Sequence, residues 1–235
     1  MGKKKEFGEG ILYTVTNYIY WLLLTNCYFW MANILLLLAV LTLKPTVSNL
    51  ALYFLALIPT GPAFSALCYA MEKLVREKSL SPTADFFRGY RVNLKDTMRM
   101  WLPMLAILFI LVVDIHYYNS EPSTANQMLG AVLSVILLLF VVGSLYAFPI
   151  NAKFKFRVRD VYRLSVYYSF KKRRATIGNA AIIFITLFVM SVTVDLIILF
   201  LASPVGFLLM WNSQEVMHDV KLNFIKRHEM EGHTT

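Results

Sequence analysis

The chain has 235 residues, of which 58% are apolar, 14% aromatic and 16% charged, where a soluble domain carries about 45–50% apolar and about 25% charged residues. That excess excludes a soluble globular domain, and two cysteines, ten glycines and eight prolines exclude a disulfide scaffold, a collagen-like fibre and a disordered tract. The net charge of +9 sits in short segments flanking apolar runs, where topology and anionic headgroups account for it, so no nucleic-acid partner is expected. What remains is an all-α, polytopic helical membrane protein forming one membrane domain over residues 1–235, with the lipid bilayer as its first partner.

Lys3, Lys4 and Lys5 open the chain. Phe7 to Tyr20 mixes Ile11, Leu12, Val15 and Tyr18 with Thr14, Thr16 and Asn17, which predicts an interfacial helix leading into a first span over 19–43. This run of 25 residues is longer than the about 7–15 apolar residues of a signal peptide, and no small-residue cleavage pattern follows, so it reads as an uncleaved span. Glu6 stands where a myristoylation signal needs Ser or Thr. A second span is predicted over 47–71, broken at 59–62 by Pro59-Thr60-Gly61-Pro62. Two prolines there remove backbone donors, so Pro59, Gly61 and Pro62 mark a turn within the membrane. Cys27 and Cys68 both fall in predicted spans and read as small packing residues.

Residues 72–100 form a predicted cytoplasmic segment with an amphipathic helix opened by Pro82. Phe86, Phe87, Tyr90 and Leu94 recur at helical spacing, opposite Arg88, Arg91 and Lys95. Two readings stand for it. The helix lies in the headgroup layer, anchored by rings and arginines, or Phe86, Phe87, Arg88, Tyr90 and Arg91 form a docking surface for a partner's cytoplasmic domain. A span over 101–118 follows, then one over 127–149. A second interfacial segment covers 151–176, where Val161, Leu164, Tyr167, Tyr168 and Phe170 alternate with Arg157, Arg159, Arg163 and Lys171 to Arg174. A fifth span is predicted over 177–201, and a short sixth segment over 204–219 starts apolar and turns polar from Asn212.

Lys and Arg in short loops stay on the cytoplasmic side. Of the 23 basic residues, three lie in the first ten positions, seven in 72–100 and nine in 151–176, while residues 119–126 hold none. This pattern predicts a cytoplasmic N-terminus in a cell membrane. Lys221, Lys226 and Arg227 favour a sixth segment that returns the tail to the same side.

Ionisable residues inside a span are candidates for function. Here they are Asp114, with His116 beside it, and Asp195. Both aspartates fall near the outer ends of their helices, Asp114 about four residues or roughly 6 Å in. Together they could carry a proton or a cation, although both lie shallow enough for water to reach them. Phosphate loops and the histidine, serine and cysteine signatures of hydrolases and zinc sites are absent from the sequence, so neither an enzyme nor a cofactor or metal is expected.

The run Pro59-Thr60-Gly61-Pro62-Ala63-Phe64-Ser65, then Lys73-Leu74-Val75-Arg76-Glu77, then Asp85-Phe86-Phe87-Arg88-Gly89-Tyr90-Arg91-Val92-Asn93-Leu94-Lys95, resembles the YesL-like family of bacterial integral membrane proteins, whose shared domain has no assigned function. Tyr146-Ala147-Phe148-Pro149, Asn26 and Trp30 are similar to further features of that family. The chain departs from its pattern by an insertion around residues 35–55. The resemblance implies a bacterial membrane protein whose gene often neighbours those for carbohydrate uptake. It therefore points to a non-enzymatic accessory or scaffolding partner of sugar ABC transporter permease subunits. The alternatives are a small solute or ion carrier using Asp114 and Asp195, and a homo-oligomeric protein that only organises membrane.

Overall fold

A computed structural model describes residues 11–120, 123–192 and 198–225. Those residues form eleven α-helices and no strand. They are α1 Ile11–Ala32, α2 Ile34–Thr42, α3 Leu50–Ala56, α4 Thr60–Glu77, α5 Pro82–Ser120, α6 Thr124–Ser144, α7 Ala147–Lys153, α8 Val158–Lys171, α9 Arg173–Val192, α10 Ile198–Asn212 and α11 Gln214–Val220, with a 3₁₀ turn at Val47–Asn49 and a π turn at Lys221–Ile225. Three helical stretches are long and apolar enough to cross a membrane, Pro82–Ser120, Thr124–Lys153 and Arg173–Val192, or five if α1 with α2 and α3 with α4 each count as one bent span. The apolar part of α10, Leu199–Asn212, falls short of the about 20 residues that a span requires.

Helix α4 is the centre of the molecule and packs against α5, α7 and α10. Gly61, Ala63, Ser65, Ala66, Cys68 and Ala70 are all buried along it, and small side chains of this kind let helix backbones approach closely. One apolar core gathers around Leu67, Met71, Leu74 and Phe86. The other gathers around Tyr146, Val161, Tyr168, Val216 and Met217, where α7, α8 and α11 close the end of the molecule that carries the basic clusters, here termed the charged end.

The first predicted span is not straight, because the chain bends by 74° between α1 and α2. The bend is at Asn33, which is buried and whose Oδ1 accepts the Thr60 hydroxyl at 2.7 Å. Thr60 lies at the second break, where the bend between α3 and α4 is 47°. The Trp101 indole donates to the Leu57 carbonyl of that same break at 3.0 Å, and a β-carbon on Gly61 would collide with the Trp101 ring. Of the expected turn residues, only Pro59 lies between the two helices, as the N-cap of α4, while Gly61 and Pro62 belong to the first turn of α4, where a proline needs no backbone donor. The polar groups of the break bond to the neighbouring break and to α5. Residues 35–55, where an insertion is expected from the sequence, fall on α2, the 3₁₀ turn and α3.

Three further boundaries differ from expectation. Residues 11–20 are the start of α1 and not a separate interfacial helix. Residues 82–100 do not lie apart from the 101–118 span, since α5 runs unbroken for 39 residues, about 58 Å at 1.5 Å per residue. Pro204 does not open the sixth segment but lies inside α10. There the Asn26 side chain bonds across the helix, its Oδ1 accepting the Ser203 amide at 3.1 Å and its Nδ2 donating to the Leu199 carbonyl, which also takes the Trp30 indole at 2.8 Å.

Candidate functional site

The turn between α4 and α5 fixes how the charged end is presented. Lys78 closes α4 in the left-handed region at φ 53°. Pro82 then supplies the first helical position of α5, where its missing N–H costs nothing. Asp85, 3% exposed, accepts the Ser81 amide at 2.9 Å and takes two bonds from the Lys73 ammonium, at 2.8 and 2.9 Å. That clamp sets the rotation of α5 about its axis. Phe86 is turned fully into the core, at 0% exposure, which removes it from the expected docking set. Phe87 is turned outward at 42% exposure, with one side resting on the Tyr28 ring at 5.3 Å. Tyr90 is half-buried, while Arg88 and Arg91 are exposed.

Arg88, Arg91, Lys95 and Arg99 are all exposed and follow one another at helical spacing as a single stripe, with Phe87 and Leu94 beside them. None of the four has an ion-pair partner among the described residues. The acids around them are already taken: Asp85 by Lys73, Glu72 by Lys153 at 2.8 Å, and Asp96 by Lys155 at 3.2 Å. The stripe thus presents uncompensated positive charge. The seat behind it is polar but satisfied. Asn151 donates to Thr97 at 2.7 Å, and Lys155 bonds the Val92 carbonyl and Asn93 Oδ1 at 2.7 and 2.9 Å.

Sequence reasoning grouped Phe86 with the docking residues, placed Lys95 on the basic face with Arg88 and Arg91 but left it out of the docking set, and missed Arg99. The helical period carried that signal, but only a helix unbroken through Trp101 makes the stripe continuous.

Asp114 is half-buried and His116 exposed on α5, and neither lines any of the five cavities described here. The Ser120 hydroxyl lies 3.4 Å from the imidazole of His116. Asp195 lies outside the described residues. Among the described residues no group of three or more His, Cys, Asp or Glu is placed to hold a metal ion, and no observation on them favours the carrier reading.

Residues 14–115 match the model of a family described as "Protein of unknown function, DUF624". The YesL-like resemblance is consistent with that family, and the matched segment runs from α1 through most of α5, including both helix breaks and the whole basic stripe. No curated protein and no solved structure matches the chain.

Proposed function

We propose that the chain is a non-enzymatic accessory or scaffolding membrane protein that docks an acidic cytoplasmic surface of a partner through Phe87, Arg88, Arg91 and Lys95, with Arg99 at the level of the lipid headgroups. The observation that carries this reading is the unpaired basic stripe on a helix continuous with a span. Phe87 lies fourteen residues before Trp101, about 21 Å along the axis. The headgroup region adds only about 5–8 Å to each side of the hydrocarbon core, so the far end of α5 stands beyond the lipid headgroups, within reach of a protein. Positive-inside counting makes this end cytoplasmic, with the chain multi-pass in a bacterial cell membrane. The YesL-like resemblance supplies the partner class, the permease subunits of a carbohydrate ABC transporter.

The test isolates the tagged protein from its native membranes in mild detergent and quantifies what accompanies it, against an unrelated tagged membrane protein. Stoichiometric recovery of permease and ATPase subunits is expected. Arg88→Glu, Arg91→Glu and Lys95→Glu combined should reduce it at least about tenfold, as charge reversal at a complementary interface does. Unchanged recovery in the triple variant removes the stripe as the docking surface, and recovery of the protein alone overturns the accessory reading.

A further inference from the structure

The outer face of α8 carries a second assembly of charged and aromatic side chains. An open cavity of about 520 Å³ is lined by Phe156, Asp160, Arg163, Leu164, Tyr167 and Phe224. Phe224 comes from the π turn at the end of the described chain and meets the Tyr168 ring edge-on at 6.5 Å between centroids.

Asp160 and Arg163 are three residues apart and share a helix face. No ion pair joins them, and neither side chain has a hydrogen-bond partner among the described residues. The contrast with their surroundings is informative. The two acids of α11 are both engaged, Glu215 by Lys172 at 2.6 Å and Asp219 by Lys171 at 3.1 Å. Among the described residues, the pocket therefore holds one carboxylate and one guanidinium without a side-chain partner, and three aromatic rings. A guanidinium matches the geometry of a phosphate, and a carboxylate beside aromatic faces holds an ammonium.

The depth of α8 indicates where such a ligand comes from. The Tyr162 hydroxyl donates to the carbonyl of Met100, immediately before the apolar stretch of α5. Val166 lines a cavity together with Pro103, Ile107 and Leu139, which are residues of the spans. Val166, Tyr167 and Phe170 are exposed on the same helix. Asp160 and Arg163 flank Tyr162 on the same helix, so the pocket lies within about one turn of the level of Met100, where the apolar stretch of α5 begins.

We propose that this pocket binds a phosphate ester that also carries an ammonium group, supplied by the headgroup of an ethanolamine phospholipid. Arg163 takes the phosphate, and Asp160 with the rings of Phe156, Tyr167 and Phe224 takes the ammonium. The test titrates the purified full chain in detergent with phosphatidylethanolamine or phosphatidylglycerol and counts bound lipid by native mass spectrometry. Phosphatidylethanolamine is expected to bind about tenfold more tightly, the worth of one charge-assisted hydrogen bond.

Asp160→Asn should remove that preference and leave phosphatidylglycerol binding unchanged. Arg163→Gln should weaken both lipids, and Tyr167→Leu should weaken the ethanolamine lipid. Free phosphoethanolamine identifies the source: displacement of the lipid supports one shared pocket, whereas binding of the free ester without lipid binding overturns the lipid assignment. Equal affinity for both lipids, insensitive to Asp160→Asn, would mean an unspecific basic surface and would sink the proposal.

Discussion

At the scale of single residues, the fold depends on polar side chains that satisfy groups left open by broken helices. Asp85 is the most exacting of them, because a buried carboxylate needs several partners to offset its lost hydration, and here it has the Lys73 ammonium and the Ser81 amide. Asp85→Asn keeps the shape and removes the charge, and should lower stability by about 1–3 kcal/mol. Replacing Lys73 by Met together with Asp85 by Leu should cost less than Asp85→Leu alone, since a lysine left without its partner carries a penalty that an apolar pair does not. Thermal unfolding of the detergent-solubilised parent, Lys73→Met, Asp85→Leu and the double variant measures this. A double variant as unstable as the sum of the singles would show that the pair is not coupled.

The same scale shows what could not be read from sequence. Asn26 and Trp30 were visible as a pair, but their role required Leu199 and Ser203, some 170 positions away in the chain and brought close only by the packing of α1 on α10. Asn33 likewise gave no local signal of a 74° bend, because its partner Thr60 belongs to another helix.

At the scale of helices, periodicity located the basic face of α5, but not which of the aromatic side chains beside it are buried, nor the helix boundaries. The outward set on α5 followed from the 3.6-residue repeat, yet its ends were drawn where hydropathy changes, between Met100 and Trp101. A helix has no reason to stop there, since no breaker intervenes and Pro103, although it removes one backbone bond, is held within the helix by its neighbours. Phe86 and Phe87 could not be separated by composition, because the buried one is chosen by the Asp85 clamp.

The clamp between α8 and α11 gives a pH-dependent prediction. Burial alone would raise the Asp219 carboxyl, but the hydrogen bond from Lys171 and the charges of Lys171 and Lys172 outweigh it and hold it below its ordinary value of 3.8. The same contact, after one from Tyr167, raises Lys171. A carboxyl lowered in the folded state adds stability above its unfolded value and loses it as pH falls through the folded value. Asp219→Asn should therefore lower the Tm at pH 6, and the gap to the parent protein should close as pH drops through 4 towards 3. A gap of constant size across that range would mean that packing, and not charge, holds α11.

At the scale of the whole molecule, the number of crossings follows from which helix ends share a side. Hydropathy located the long apolar runs but could not decide the last segment, because α10 is too short to be recognised as a span and its polar end is occupied by packing. Contacts decide where that end lies. Asn212 donates to the Ala175 carbonyl at 2.7 Å and to Asn179 at 2.8 Å, and α11 is tied to Lys171 and Lys172, so the chain after α10 is at the charged end with the α4–α5 turn. Ser123, which caps α6 through the Asn126 amide at 3.2 Å, is at the far end of the long α5 helix.

These placements give a topology test. In a background with Cys27→Ser and Cys68→Ala, single cysteines at Ser79 and Gln214 should react with an impermeant maleimide from one side of sealed vesicles, and a cysteine at Ser123 from the other. If that first side is the cytoplasmic one, the basic stripe faces the compartment where an ATPase subunit would meet it. Reaction of Gln214→Cys from the same side as Ser123→Cys would contradict the helix packing, and reaction of Ser79→Cys from outside the cell would remove the accessory reading along with the positive-inside assignment on which it depends.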